Sequence, residues 1–170
     1  MRLDLGGIAK GYAIDRAVEA MRAGGAVGGM VDVGGDIRCF GRRKNDSQEW
    51  LIGLQNPRVE GDLLLKLRLN DMAVATSGDY RRFVLIDGQR YSHIFDPAKS
   101  TSAKELRSVT IIAPTAIQAD ILATAVSVMG KEKGLKLIES TPDTEAIIIP
   151  ADSEKNIVKT SGADVFIKTE

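Results

Sequence analysis

A long series of short strand-like runs lies between two helical segments, and this order constrains the fold more than any other feature of the sequence. The runs are separated by glycine, proline and other turn residues rather than by helices, as is typical of neighbouring antiparallel strands. At 170 residues the chain is long enough for one buried core. We therefore predict a single α+β domain over residues 1–170, with a largely antiparallel sheet packed by two main helices.

The first helical segment follows a glycine-rich turn near the start of the chain. Its apolar residues recur at helical spacing, and Gly24-Gly25 is a plausible end. These apolar residues are Ile8, Tyr12, Ala13, Ala17, Ala20 and Met21. The second segment, 116–130, has Thr115 as a candidate N-cap and ends at Gly130. The sequence thus predicts two amphipathic helices.

The strand-like runs begin with two short strands, 30–33 and 37–40, that are broken at Gly34-Gly35. Residues 50–54 and 65–69 then place apolar side chains at every second position. This alternation predicts two half-buried strands that lie side by side in an antiparallel sheet.

A hairpin is predicted around Asp87-Gly88, which suits a two-residue type I′ turn. Counting outwards from this turn pairs Val84 with Tyr91 and Arg82 with His93. Later segments predict a further strand, a short helix broken at Gly134, and two closing strands. Their ranges are 106–113, 131–140, 145–150 and 164–168.

The balance of charge argues against some classes of partner. Lys plus Arg and Asp plus Glu number 23 each, and no long block of like charge occurs, so neither nucleic acid nor an anionic membrane surface is expected. No apolar run approaches the roughly 20 residues that a membrane-spanning helix needs. The single cysteine, Cys39, cannot form an internal disulfide and leaves the compartment open. A small ligand or another protein is the expected partner.

The glycine-rich opening, residues 4–11, reads "DLGGIAKG" and allows two interpretations. The lysine lacks the Ser or Thr that follows it in a P-loop, and no Gly-x-Gly-x-x-Gly pattern occurs. Gly6 and Gly7 have no Cβ to block a ligand, and the amides that open the helix favour an anion such as phosphate. The alternative, which the motif alone favours, is a tight turn that packs the helix against the sheet.

Asp120 and Thr124 lie four residues apart in the second helix and therefore share a face. A carboxylate and a hydroxyl placed in this way could bind a hard cation such as Mg²⁺. The alternative, which the pair alone favours, is that Asp120 faces solvent and Thr124 bonds to a helix carbonyl. The alanines and aliphatic residues around Asp120 favour a partly buried carboxylate, which would need a polar partner.

His93 is the only histidine and stands at the end of the predicted hairpin. A lone histidine more often makes a structural hydrogen bond, but it is also the side chain best suited to proton transfer near neutrality. Residues 75–80, "ATSGDY", suit either a turn or a phosphate contact. Residues 33–37, "VGGDI", suit either a bulge or a ligand platform.

Five motifs occur in a specific order between Asp4 and about Gly130. They are "DLGGIAKGYAID", "VDVGGDI", "ATSGDY", "YSHIFDP" and "SVTIIAPTAIQADILATA". In sequence, order and spacing they resemble the ApbE family of FAD:protein FMN transferases, once described as thiamine-biosynthesis lipoproteins. The resemblance implies an α+β core related to the T-fold. It also implies that FAD and Mg²⁺ bind and that FMN is transferred to a Thr or Ser hydroxyl of an acceptor protein with release of AMP, or that FAD is hydrolysed.

The resemblance also implies roles for individual residues. The side chains of Asp120 and Thr124 and the main-chain carbonyl of Ala9 would be metal ligands. His93 would take the proton from the acceptor hydroxyl. The residues implied as FAD contacts, or as weaker candidates for them, are Gly6, Tyr12, Asp36, Thr76, Ser77 and Ile94.

Full-length members of this family carry about a hundred or more residues before the glycine-rich turn, a typical domain-sized addition. We therefore expect an N-terminally shortened form that lacks part of the FAD pocket. The alternative to an enzyme is a form that only binds a flavin, or that self-associates as a homodimer through an exposed sheet edge. Family members work on both sides of the bacterial membrane, so the compartment is not predicted.

Overall fold

The computed structural model describes residues 4–41, 49–78, 83–86, 89–152 and 156–169. The elements, in chain order, are α1 Ala9–Ala23, β1 Gly28–Val33, β2 Asp36–Gly41, β3 Trp50–Gln55, β4 Leu63–Leu69, β5 Ala73–Gly78, β6 Phe83–Ile86, β7 Gln89–Ser92, β8 Phe95–Asp96, β9 Thr101–Ser102, β10 Leu106–Ala113, α2 Ala116–Met129, α3 Lys131–Glu139, β11 Glu145–Pro150 and β12 Val158–Lys159, followed by a 3-10 turn, Ala163–Phe166. The predicted α+β class, with an antiparallel sheet, is confirmed.

The main sheet has six strands in the order β1-β2-β5-β10-β11-β12, and every neighbouring pair is antiparallel. The helices pack on one of its faces, where α2 contacts β5 and β10. Alternate residues of the central strands point towards these helices, among them Ala75, Ile111 and Ile148. The residues between them point to the opposite face.

The opposite face of the sheet is covered by the antiparallel pair of β3 and β4. Ile52 and Leu67 of this pair are buried together with Val74, Ile112 and Ile147 of the main sheet. The alternating apolar residues of 50–54 and 65–69 therefore form the face of β3 and β4 that packs on the main sheet. Because both faces are buried, the central strands carry the near-continuous apolar runs of a sheet between two layers.

The short connection between β1 and β2 follows from its two glycines. Gly34 and Gly35 have φ values of 64° and 92°, a region that residues with a Cβ rarely adopt. Two successive residues of this kind make a tight hairpin turn whose twist matches the strands. The predicted break at this position is thus a turn between paired strands.

Three details of the sequence prediction are wrong. The apolar stripe predicted on α1 is not its buried face, because Tyr12 and Met21 are exposed whereas Ile14 and Val18 are buried. The third helix is not broken at Gly134, where the missing Cβ leaves room for Val126 of α2. Residues 164–168 form part of a 3-10 turn and a single bridge to β4 rather than a strand.

The hairpin predicted around Asp87-Gly88 is confirmed for the pairing of Val84 with Tyr91. The turn itself and Arg82 lie outside the described residues. In the ranges that the structure describes, no helix combines the length and the apolar character needed to cross a membrane.

Candidate functional site

The first turn of α1 lies directly against the N-terminal half of α2. Gly11 makes this approach possible, because a Cβ at this position would lie 2.6 Å from Ala116 C. The Gly11 N–H donates to Asp120 Oδ2 at 3.0 Å. One turn earlier, a Cβ on Gly7 would lie 3.1 Å from Thr124 Oγ1. The start of α1 and the middle of α2 therefore converge around Asp120 and Thr124.

Asp120 is buried, and the Lys10 side chain lies close both to it and to a second buried carboxylate, Asp36. Lys10 is ion-paired with Asp36, and its Nζ lies 3.7 Å from Asp120 Oδ1. Both carboxylates are about 2% exposed. Burial is the largest influence on Asp36 and raises its pKa, the hydrogen bond from Lys10 opposes the rise, and the charge of Asp120 adds to it. When both carboxylates are ionised, the group carries an excess negative charge, which favours a bound cation.

Strand β5 adds one hydroxyl oxygen, that of Ser77, beneath α2. Ser77 Oγ lies 3.5 Å from Thr124 Oγ1, so three side-chain oxygen groups surround the convergence of α1 and α2. Hard cations such as Mg²⁺ prefer ligands of this type. No group of three or more His, Cys, Asp or Glu residues in the described part of the chain could hold a metal ion. A metal at this position would therefore draw on hydroxyl oxygens as well as Asp120, and the hydroxyls of Thr124 and Ser77 fit that requirement.

Thr76 belongs to this region through its main chain rather than its hydroxyl. The Thr76 N–H donates to Asp36 Oδ1 at 3.3 Å, whereas its Oγ1 lies 3.0 Å from Thr110 Oγ1. Thr76 helps to line a cavity of about 130 Å³ together with Ile52 and Leu54. That volume is below the roughly 300 Å³ of the smallest typical ligand pockets, so the cavity could take only a small part of FAD.

A larger cavity, about 410 Å³, lies elsewhere in the fold. It is lined by Leu65, Val158 and Ile167, among others, and shares no lining residue with the convergence of α1 and α2. Its polar side chains, from Asn156 and Lys159, are few. We therefore place the candidate site at the two helices rather than at this larger cavity.

The predicted site residues fall into two groups. Asp36, Thr76, Ser77, Asp120 and Thr124 are joined by the contacts described above, and Ala9 lies on the turn between Gly7 and Gly11. Gly6 is exposed just before this turn and donates its N–H to Asp4 Oδ1 at 2.7 Å. Tyr12 extends from α1 into solvent.

His93 and Ile94 lie on a separate segment between β7 and β8. His93 is exposed, and Ile94 is buried. The Ile94 N–H donates to Ser92 Oγ at 3.1 Å, and its carbonyl accepts the N–H of Ala103 at 2.9 Å. These contacts fix the backbone on which His93 stands, but they do not connect it to the carboxylate cluster.

Two charged residues, Lys10 of the site and Asp15 beside it on α1, were not predicted as functional. Lys10 stands between Ala9 and Gly11 in the opening motif. Asp15 lies on the face of α1 that is buried, one turn after Gly11. A buried polar residue needs partners, but a sequence pattern does not reveal that Ile14 and Asp15 face inwards while Tyr12 faces outwards.

Comparison with known proteins identifies the family. The model of the ApbE family matches residues 1–148. The chain belongs to the ApbE family. Among curated relatives, the FAD:protein FMN transferase of Treponema pallidum is 38% identical over 161 residues, which cover 89% of this chain and 44% of that protein. The enzyme of the same name from Haemophilus influenzae is 34% identical over 154 residues, with the same coverage.

Solved ApbE structures share the fold. The ApbE protein of Thermotoga maritima is 38% identical with a TM-score of 0.87, and the match covers 99% of this chain and 54% of that one. The apo flavinyl transferase ApbE of Pseudomonas stutzeri is 32% identical with a TM-score of 0.82, covering 99% and 52%. The α+β ApbE fold is confirmed, and the chain spans about half the length of these ApbE relatives.

Proposed function

We propose that this chain carries the metal-binding and catalytic part of an FAD:protein FMN transferase. In this reaction FMN moves from FAD to a Thr or Ser hydroxyl of an acceptor protein, and AMP is released. The observation that carries the proposal is the convergence of α1 and α2, where the Gly11 N–H meets Asp120 and Gly7 meets Thr124. The names of the relatives support the choice of flavin transfer over other reactions at such a site.

The side chains of Asp120 and Thr124 and the carbonyl of Ala9 would hold Mg²⁺. When bound, the ion would neutralise charge on the pyrophosphate of FAD. Lys10 offsets part of the negative charge of the two buried carboxylates, which limits the repulsion between this cluster and an anionic substrate. Because Gly7 lacks a Cβ, the turn before α1 can lie directly against Thr124.

The remaining predicted residues would contact FAD. Ser77 stands beside Thr124, and Asp36 binds Lys10 and the main chain of Thr76. These contacts support positioning roles near the phosphates. Gly6 and Tyr12 border the start of α1, and Ile94 adjoins His93 in the chain.

His93 would act as the general base. It would accept the proton of the acceptor hydroxyl while that oxygen forms a bond to the phosphorus of the FMN half. The bond from this phosphorus to the bridging oxygen breaks, and AMP leaves with that oxygen. The exposure of His93 supports this role, because the acceptor is a protein that must reach it from solvent. Water entering at the same position would instead hydrolyse FAD to FMN and AMP.

The test is to incubate the chain with FAD, Mg²⁺ and candidate acceptor proteins and to measure AMP and the acceptor mass. We expect AMP release together with an acceptor that gains the mass of one FMN group. His93→Ala should keep FAD binding and slow AMP release by about 10²- to 10⁴-fold, the usual contribution of a general base. Lys99→Ala, a change at an exposed position in the next loop, is the control and should leave the rate unchanged.

Free FMN and AMP without a modified acceptor would assign FAD hydrolysis to the site instead. Absence of AMP release in every mixture would contradict the proposal.

A further inference from the structure

The N-termini of α1 and α2 are bound to each other by a reciprocal pair of aspartates. Asp15 of α1 accepts the N–H of Ala116 and the N–H of Ile117, both at 2.9 Å. Asp120 of α2 accepts the N–H of Gly11 at 3.0 Å. Each carboxylate thus binds main-chain donors that open the other helix. Each aspartate lies four residues after the residue through which its own helix contacts the other helix. These contact residues are Gly11 in α1 and Ala116 in α2.

The N-termini of α1 and α2 differ in how much they depend on hydrogen bonds to the other helix. α2 has a local cap, because Thr115 Oγ1 accepts the N–H of Gln118 at 3.3 Å. Asp15 takes the two preceding donors, so the first three N–H groups of α2 all have acceptors. In α1 the N-cap residue, Ile8, provides no side-chain cap. The first turn of α1 therefore relies on the other helix for the acceptor of its Gly11 N–H.

Asp15 is anchored on its other side to the sheet. Arg38 Nη1 of β2 donates to Asp15 Oδ1 at 2.6 Å, and both side chains are largely buried. A buried carboxylate with three charge-assisted hydrogen bonds has little freedom to move. It ties together β2, the middle of α1 and the first turn of α2, one helical turn away from Asp120.

We propose that Asp15 is a positioning residue, which holds the first turn of α2 against α1 and so sets the distance from the start of α1 to the side chains of Asp120 and Thr124. Asp15 does not itself reach the metal position. Its link to metal binding rests on the proposed function, whereas its effect on the contact between Gly11 and Asp120 does not. Residues that orient metal ligands typically change metal affinity by about 10- to 100-fold when they are replaced.

The test compares Asp15→Asn with Thr115→Ala. Asp15→Asn keeps the shape of the side chain but replaces one acceptor oxygen by a donor, so one of the two N–H groups of α2 loses its partner. Thr115→Ala removes a hydrogen bond from the same end of α2 without touching α1. Both changes should lower the melting temperature, and a role confined to stability predicts no further difference between them.

Two readouts separate a positioning role from a purely structural one. The first is amide hydrogen exchange of Gly11 by NMR, which we expect Asp15→Asn to accelerate roughly tenfold or more, since the amide is bonded to a charged group. The second is the Mg²⁺ concentration that half-saturates the chain in the presence of FAD, which we expect to rise by about 10- to 100-fold. Thr115→Ala should change neither by more than about twofold, because its lost bond lies outside the contact.

The proposal is overturned if folded Asp15→Asn exchanges the Gly11 amide at the wild-type rate, or if Thr115→Ala has the same effects. If wild-type protein shows no response to Mg²⁺ with FAD, the proposed function fails, and Gly11 exchange still decides the positioning role. If Asp15→Asn does not fold, Asp15→Glu is used, because it keeps the charge and moves the carboxylate by one methylene. Wild-type Gly11 exchange in folded Asp15→Glu would then overturn the proposal.

Discussion

Replacing Gly11 by Ala tests whether the close approach of α1 and α2 is required. A Cβ added to Gly11 would lie 2.6 Å from both Ala116 C and Ile117 Cα, which are backbone atoms that no side-chain rotation can move. The helices would have to separate by about 1 Å to reach ordinary van der Waals contact. The hydrogen bond from the Gly11 N–H to Asp120, now 3.0 Å, would stretch beyond its useful range.

The expected change in the free energy of unfolding has three contributions, one stabilising and two destabilising. Alanine favours a helix over glycine by about 1 kcal/mol. Overpacking costs about 1–3 kcal/mol, and loss of a hydrogen bond to a charged group costs about 1.5–3 kcal/mol. We expect a net loss of about 3 kcal/mol in the free energy of unfolding, which lowers the melting temperature of a chain of this size by roughly 6–12 °C.

Thermal unfolding followed by circular dichroism measures this loss, and Gly134→Ala is the matched control. Gly134 is also a buried helical glycine that faces α2, but the atoms nearest to a Cβ there all belong to the side chain of Val126, 2.5 Å away at Cγ1, rather than to the backbone. The control should lose less stability and keep the Gly11 contact. If Gly11→Ala is as stable as the wild type, or is stabilised as helix propensity alone predicts, the account of the helix contact is refuted.

Two further experiments test other parts of the fold. Burial raises the pKa of Cys39 to about 12, and the side chain is fully buried, so a thiol reagent such as Ellman's should react only after unfolding; rapid reaction with folded protein would contradict the described core. Gly130 has a φ of 81°, and a Cβ there would lie 2.7 Å from Glu105 Cδ, so Gly130→Ala should lower the free energy of unfolding in urea by about 1–3 kcal/mol. An unchanged urea midpoint would show that the connection of α2 to α3 tolerates a side chain.

Local patterns were sufficient to predict most of the elements. The glycine pair between β1 and β2, the Thr115 cap and the alternation in β3 and β4 each act over a few residues, and each is confirmed. Gly134 misled the prediction because a helical glycine costs only about 1 kcal/mol, a loss that close packing against Val126 can offset.

The contacts that build the site could not be read from local patterns. Asp15 binds main-chain groups 101 and 102 residues further along the chain, and Lys10 binds Asp36 across 26 residues. Such pairs depend on how α1 lies on the sheet. The apolar spacing of α1 predicted the wrong buried face because a glycine and an aspartate, Gly11 and Asp15, share that face with Ile14 and Val18. The family motifs drew attention to Asp120 and Thr124 but not to the residues that bring α1 to them.

The most direct test of the central claim is calorimetric titration of Mg²⁺ in the presence of FAD. Asp120→Asn and Thr124→Val should each lose most of the Mg²⁺ affinity, because each removes an oxygen ligand. Ser127→Ala is the control, since Ser127 is buried in the same helix and its hydroxyl donates to the Ala123 carbonyl, and it should bind Mg²⁺ as the wild type does. Wild-type Mg²⁺ binding by Asp120→Asn would contradict a cation site at the convergence of α1 and α2.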